Sequence, residues 1–572
     1  MPVLNAHRWI LPPPRREPSP PSPFPPLVAA LLEKRGLNQS DSALPFLNPR
    51  LADLGNPFSL PAMEPAVNRL LRAIDQREQV ALYGDYDVDG VSSLALMAEI
   101  LAAYGITPHP FLPQRMDEGY GLSLTGLERC LSECEPTLIV AIDCGTSSKK
   151  EALWLQERGI DLIVLDHHQA VSADQPDSIP IVNPKLGQHS HDLCSAGIVF
   201  KVGHALLKSR PLPKETLDLR QHLDLVALAT VADLVPLTGE NRIFVRHGLR
   251  TLATTNRPGL QALKSIAAAS LQPTAQDIAF RLGPRLNAAG RLDTASHAFN
   301  LLHTRCPDKA EALAQQLNEQ NRDRQQIEKS ILNEAMEMAD KWMTSDPPAL
   351  VLAASNWHPG VVGIVAARLM RHFHRPTFVI GFDESGLGKG SGRSLPGIDL
   401  ATALHHCRDH LVKGGGHAAA AGLSIHPDSV DAFRDALTHH LDTTLDRDLL
   451  QPQIEPEVEA LLHELDLDLL EAWRQLEPFG MGNREPLLLL RNIQSASPPR
   501  WIKDKHWKAR LTNNGCQPID AIWFNADSHA PLPPPPWDIA ATLSPNEWQG
   551  RLSLQLQIKA MRATNPQTLP PS

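Results

Sequence analysis

The stretch Val80 to Ser93, VALYGDYDVDGVSS, constrains this chain more than any other. An apolar, strand-like run enters Gly84, and three carboxylates follow at alternate positions, Asp85, Asp87 and Asp89. Gly90 closes the turn, and an apolar helical pattern through Leu94, Leu96, Met97, Ile100 and Leu101 starts at once. A strand–loop–helix unit puts such carboxylates at the carboxyl end of a strand, where open α/β sheets bind ligands. Like charges this close repel one another at neutral pH, so the cluster calls for a divalent cation, or for two. Taken alone, a triplet of this kind reads more readily as a solvated acidic turn; the rest of the chain argues against that.

The pattern recurs. PTLIVAI leads into Asp143-Cys144-Gly145, and GIDLIVL leads into Asp166-His167-His168. Neither run alternates with polar residues, the mark of strands buried on both faces of a parallel sheet. LDLVALATVADLVPL, residues 223–237, reads as a buried helix ending at Asp233. Singly, Asp143 could be a strand-end cap and Asp233 a helix-end residue. As a series they deliver acids and histidines to one edge of one sheet. Carboxylates with one or two imidazoles and no thiolate favour Mn²⁺ or Mg²⁺ over zinc. Two such ions suit phosphodiester hydrolysis, where they stabilise both the attacking and the leaving oxygen.

Size and composition bound the rest. At 572 residues the chain should hold about three or four domains. A formal net charge of −10 does not suggest a nucleic-acid binder overall, but Arg491 to the C-terminus carries nine Lys/Arg against five Asp/Glu, and local sign matters more to a polyanion than the total. Seven scattered cysteines without a CxxC argue for a reducing compartment. No apolar run is long enough to span a membrane, and a signal-peptide core is missing, so a cytoplasmic location is expected.

Residues 1–26 hold ten prolines and read as an extended or disordered arm. Residues 306–343 read as one long connector helix whose middle, NEQNRDRQQ, is wholly polar, as in helices that bridge domains or line a cleft. A second α/β domain carries WHPGVVGIVAARL, KGSGRSLPG and GGGHAAAAG, and short strands (HWKARL, IDAIWF, DIAATL, RLSLQLQIKA) close the chain as a small barrel.

In this order, GDYDVDG, VAIDCG, LDHH and VADLVPL resemble the four motifs of the DHH phosphoesterase superfamily, and GGGHAAAAG resembles its companion DHHA1-type domain. PQRMDEGYGL, RLGPRLNAAGRL, NEQNRDRQQIE, WHPGVVGIVAARL and EPFGMGNREP narrow the resemblance to the RecJ-type single-stranded-DNA exonucleases. The resemblance implies an α/β fold in five parts: the arm 1–26, a DHH catalytic domain with a parallel sheet over 27–305, the connector 306–343, a DHHA1-type substrate-binding domain over 344–448 and an OB-fold β-barrel over 449–572.

It also implies roles. Asp87, Asp89, Asp143, His167 and Asp233 would hold two Mn²⁺ or Mg²⁺ ions, His168 would sit beside them, and Asp85 would be a ligand or support one. Arg115, Arg285, Arg291 and Arg393, expected in loops rich in Gly, Pro or Ser, would contact the 5′-terminal phosphate and leading nucleotides, helped by Ser391 and Gly392. Gly415 and His417, read as preceding a helix, would cradle a substrate phosphate. Trp501 and Trp507, among lysines, would stack on bases, while Trp523 reads as core. The implied activity is 5′-to-3′ hydrolysis of single-stranded DNA to 5′-mononucleotides in recombination and repair, with a single-stranded-DNA-binding protein and a RecQ-type helicase as partners. The alternatives are a DHH phosphodiesterase of short oligonucleotides or cyclic dinucleotides, and a non-catalytic single-stranded-DNA-binding relative.

Overall fold

The computed structural model describes residues 7–15, 23–37, 40–114, 121–170, 175–176, 178–187, 192–292, 294–383, 386–513, 515–526, 531–548 and 550–565. The chain divides into two compact units. One is Leu44–Arg324 with Leu476–Arg484; the other is Met1–Ala43, Gln325–Gln475 and Glu485–Ser572.

The first unit is built on five parallel strands, β1 (Val80–Tyr83), β2 (His109–Phe111), β3 (Leu138–Ile142), β4 (Asp161–Leu165) and β5 (Ile181–Val182), in the order β2-β1-β3-β4-β5. Every residue of β1 and β3 is buried, as their unbroken apolar runs require. Alternate side chains serve two cores. Val80, Leu82, Val140 and Ile142 pack with helices α1 (Val88–Ala103), α2 (Ser195–Ser209) and α3 (Leu223–Ala232). Ala81, Tyr83, Ile139 and Ala141 face Leu127, Cys130, Ala152 and Leu155 on the opposite side.

Strand order reverses between β1 and β3, so the loops after them flank a topological switch point, the place where such sheets bind ligands. A buried ionic knot ties the helices behind it. Glu99 of α1 takes both Arg257 guanidinium nitrogens at 2.7 Å and lies 2.9 Å from His222 Nδ1, while Arg257 Nε reaches Asp224 of α3 at 3.3 Å. Later, a π-helical turn (Ile278–Leu282) runs into α4 (Gly283–Leu292), so Arg285 and Arg291 lie on a helix rather than in the expected loop. The wider turn accommodates Pro284, which has no N–H to offer.

Helix α5 (Pro307–Met343) forms as its pattern predicts. Its polar middle is not solvated all round, because Asn321, Arg324 and Glu328, spaced as one helical stripe, are buried.

The second unit contains a mixed sheet of β6 (Leu350–Ala354), β7 (Thr377–Phe382), β8 (Gly388–Arg393), β9 (Lys413–Gly416) and β10 (Ala420–Ile425), ordered β9-β10-β8-β7-β6, with α6 (Val362–Phe373) against it. Here GGGHAAAAG departs from the expected helix start. It is the β9–β10 hairpin, with Gly415 paired to Gly422. The alanine run is too short and too close to Gly422 to nucleate a helix, whereas strand pairing with β8 satisfies its backbone at once. Gly415 and His417 are exposed on that hairpin.

The C-terminal strands are β11 (Leu488–Ser495), β12 (Arg500–Ile502), β13 (His506–Thr512), β14 (Ile519–Phe524), β15 (Trp537–Trp548) and β16 (Arg551–Ala563). The pairings β11–β15–β16–β14–β13 return to β11, so five strands close on themselves as an OB-type barrel. This corrects the reading of Trp507 as a stacking platform. Along β13, Trp507, Ala509 and Leu511 all point inward, and Trp507 packs edge-on against Trp537 at 5.9 Å. Trp523 is core as expected, and Trp501 stays partly exposed on β12.

Within the arm, the described residues 7–15 are likewise more ordered than their prolines suggest. Arg8–Trp9 pairs in parallel with Gln453–Ile454, and Arg15 Nη1 reaches Glu464 Oε2 at 2.9 Å. A strand needs N–H donors only where it pairs; Arg8 and Ile10 supply them, and Pro12 to Pro14 follow beyond the pairing.

Candidate metal centre

The β1–α1 loop is a tight cradle. A Cβ on Gly90 would stand 2.3 Å from the Asp85 carbonyl oxygen, so only glycine allows the loop to close. Asp87 caps α1 by accepting the Gly90 N–H at 3.0 Å, and Asp89 lies buried in the first turn. Asp143 follows β3 with φ of 66°, a left-handed conformation that aspartate tolerates better than most residues. Asp233 caps the C-terminus of α3.

Four separate segments thus meet at one imidazole. His167 Nε2 lies 3.3 Å from Asp143 Oδ1, 3.5 Å from Asp233 Oδ2 and 3.8 Å from Asp89 Oδ2. Three groupings hold candidate ligand atoms within 4.8 Å of one another: Asp143, His167 and His168; Asp89, His167 and Asp233; and Asp85, Asp87 and Asp143. Every acid and histidine expected at the centre is in this cluster, including Asp85.

The electrostatics are those of buried acids crowded against one another. Burial, then the charge of Asp87, lifts the Asp89 carboxyl to about 6. Burial, then Asp89 and Asp87, lifts Asp233 to about 8 and pushes Asp143 well above the usual carboxylate range. Burial lowers His167 to about 3, so it stands neutral with a lone pair to give. His168 differs. Burial opposes its protonation, yet its Nδ1 lies 2.7 Å from Asp166, which raises it above its ordinary value.

His167 Nε2 and Asp233 Oδ2 are buried without a hydrogen-bond partner among the described residues. Such atoms are costly to leave unpaired, and a cation would satisfy both. The set of carboxylate oxygens with imidazole and no thiolate fits Mn²⁺ or Mg²⁺.

Several supporting residues escaped the sequence reading. At the start of α2, Ser195 and Ala196 donate backbone N–H groups to Asp89 at 2.6 and 2.9 Å, and the Ser195 hydroxyl lies 2.9 Å from Asp143. Asp166 belongs to none of the three groupings. It accepts the N–H groups of His167 and Thr146 and orients His168, while Asn183 bridges Thr146 to the His168 carbonyl. Within RLNAAGRL, Asn287 accepts the Val88 N–H at 3.1 Å, and Gly290 leaves room for the Tyr86 carbonyl, which a Cβ would meet at 2.6 Å. Helix α4 therefore props the acidic loop, a role that its motif signalled only as unexplained small residues.

The candidate DNA contacts divide. Arg115 lies outside the described residues. In the first unit, Arg285 reaches Asn318 at 3.0 Å, and its guanidinium is lowered by burial and by neighbouring Arg322 and Arg281, a cationic cluster suited to an anion; Arg291 is partly buried on the same helix. In the second unit, Ser391 and Arg393 lie on one face of β8, with Arg393 Nη1 2.8 Å from Ser391 Oγ. A Cβ on Gly363, in the first turn of α6, would meet both at 2.9 and 3.1 Å. Gly392 is buried on the other face against Phe378. Burial alone lowers the Arg393 guanidinium, with no carboxylate acting on it among the described residues, which suits a phosphate guest. Gly415 and His417 form no comparable pocket.

Known proteins carry the same parts. Residues 79–230 match the DHH family N-terminal domain, 346–442 the DHHA1 domain and 457–560 the RecJ OB domain. The single-stranded-DNA-specific exonuclease RecJ of Bacillus subtilis is 36% identical, over 93% of this chain and 67% of its own length. That of Dickeya dadantii is 34% identical over 94% and 96%. Solved structures of Thermus thermophilus RecJ superpose with a TM-score of 0.84 in complex with Mn²⁺ (30% identity, 98% of this chain, 80% of that one) and 0.78 in complex with Mg²⁺ (28%, 98% and 79%). Among the described residues no helix is long and apolar enough to cross a membrane.

Proposed function

The chain belongs to the RecJ family of single-stranded-DNA-specific exonucleases, and on that premise we propose that it degrades single-stranded DNA from the 5′ end, releasing 5′-mononucleotides. It is an exodeoxyribonuclease with Mn²⁺ or Mg²⁺ as cofactor. The observation that carries the reading is the meeting of Asp89, Asp143 and Asp233 within 3.8 Å of His167 Nε2.

Asp85, Asp87, Asp89, Asp143, His167 and Asp233 would hold two divalent ions. Such ions, when bound, supply Lewis acidity to the phosphoryl group and a nucleophilic water at neutral pH. The chain's own groups do the rest. Ser195 and Ala196 fix the Asp89 carboxylate, and Asp166 keeps His168 protonated at Nδ1, leaving its other edge able to donate to a phosphate oxygen. Arg393 with Ser391 would receive the 5′-terminal phosphate, and Arg285 and Arg291 would contact the strand. The OB module would guide the strand, with Trp501 available to stack. Recombination and repair in the cytoplasm, beside a single-stranded-DNA-binding protein and a RecQ-type helicase, is the setting this activity suits.

The test is digestion, in Mn²⁺, of a single strand labelled separately at each terminus. Mononucleotide release from the 5′ label is expected, and its loss in Asp143→Ala. Release from the 3′ label first, or equal activity of the variant, overturns the reading. A preference for dinucleotides over long strands would favour the short-oligonucleotide alternative instead.

A further inference from the structure

Leu234 directly follows the candidate ligand Asp233, and two features set it apart. It is 61% exposed, although it is a large apolar side chain beside a buried centre. It also has φ of 59°, a left-handed backbone that is unfavourable for a leucine and open to a glycine.

Leu234 stands just past the C-cap of α3, where a left-handed residue closes many helices, and here it is a leucine in place of the usual glycine. The strap Leu476–Arg484 packs on the segment after Asp233: the Met481 carbonyl accepts the Leu237 N–H at 2.7 Å. Gly480 and Gly482 approach Leu237 and Pro236 so closely that a Cβ would stand 2.7 and 2.9 Å away. Arg242 donates to the Leu476 and Glu477 carbonyls at 3.0 and 2.8 Å, and Asn483 closes the strap on Leu476 and Pro478 at 2.9 and 2.7 Å. A loop held this firmly, bearing a strained leucine turned out to solvent, contributes nothing to the core by that side chain. Strain of this kind persists where the surroundings over-determine it, commonly at functional sites.

We propose that Leu234 is a substrate-contacting residue, an apolar rest for the base and deoxyribose of the nucleotide whose phosphate lies at the metal centre. The occupant follows from position. Asp233 Oδ2 lies 3.5 Å from His167 Nε2 and Leu234 is the next residue, so the occupant assigned to it is the nucleoside attached to the reacting phosphate. A base offers a flat apolar face whatever its identity, so the contact is indifferent to sequence. It places the strand rather than reads it. The proposal rests on the exonuclease reading above.

The experiment compares the wild-type chain with Leu234→Gly and Leu234→Asn, both of which fit a left-handed backbone. The substrates are a 5′-phosphorylated single strand and the same strand with an abasic 5′-terminal nucleotide; Mn²⁺ affinity is measured by calorimetry alongside. The wild type should show a KM about fivefold or more lower for the intact strand than for the abasic one, about 1 kcal/mol of apolar contact, and both variants should erase that difference with Mn²⁺ affinity unchanged. Equal preference for the intact strand in wild type and variants, or no preference in the wild type, overturns the assignment. So does a fall in Mn²⁺ affinity matching the kinetic loss. Failure of the wild type to cut either strand would instead strike the exonuclease reading.

Discussion

Asp89 and Ser195 are joined across the sheet edge: the Ser195 backbone N–H donates to Asp89 Oδ2 at 2.6 Å, while the Ser195 hydroxyl lies 2.9 Å from Asp143. One residue at a helix start therefore sets the spacing of two carboxylates from different strands. Oriented N–H groups there suit an anion, and they aim the free lone pairs of Asp89 inward.

Ser195→Ala keeps the backbone bond to Asp89 and removes only the hydroxyl. Supports of this kind typically govern about 10–100-fold in metal affinity. Calorimetric titration with Mn²⁺ should show a loss of about tenfold with the melting temperature little changed. Unaltered affinity would mean that the hydroxyl does not position Asp143.

The metal-free protein should lose stability as pH rises. The folded values of Asp89, about 6, and Asp233, about 8, lie above the ordinary carboxylate value, so the folded state holds protons that the unfolded state releases. Their contribution is complete below the unfolded value and disappears as pH climbs through 6 and then 8. His167, lowered to about 3, pulls the other way as pH falls below its ordinary value. Melting in chelator should therefore decline from pH 6 to 9, and the gain on adding Mn²⁺ should widen over the same range. A gain independent of pH would contradict the proton displacement.

Asp143→Asn should separate catalysis from folding. Asparagine accepts the left-handed backbone at 143 and removes one of several crowded charges. Nuclease activity should fall below detection while the metal-free melting temperature holds or rises. A large destabilisation would show that the carboxylate is needed for the fold.

Glu99→Ala should do the reverse. It leaves Arg257 buried without its two 2.7 Å bonds, and breaking such a pair costs about 3–5 kcal/mol. Denaturant unfolding measures this directly. A change under about 1 kcal/mol would mean that Asp224 and water compensate for the loss.

Arg393→Lys keeps the charge but loses the fork that sits with Ser391. Wild type should prefer a 5′-phosphorylated strand over a 5′-hydroxyl strand, and the variant should lose most of that preference. An unchanged ratio would remove Arg393 from the end-phosphate pocket.

The chain itself settled the parallel sheet and the acids at its edge, because unbroken apolar runs in β1, β3 and β4 leave no solvent face and each ends in a carboxylate or histidine. It also settled α5, whose helical period survives a polar middle. What it could not settle were choices made by partners distant in sequence. Alternation in HWKARL says that one set of side chains faces inward, but closure of the barrel on Trp537 decided that Trp507 belongs to it. A Gly- and Ala-rich run has weak preferences of its own, so pairing with β8 made GGGHAAAAG a hairpin. The roles of Ser195 and Asn287 likewise arise only when helices far along the chain meet the acidic loop, since hydrogen bonds depend on distance and direction, which linear spacing does not encode.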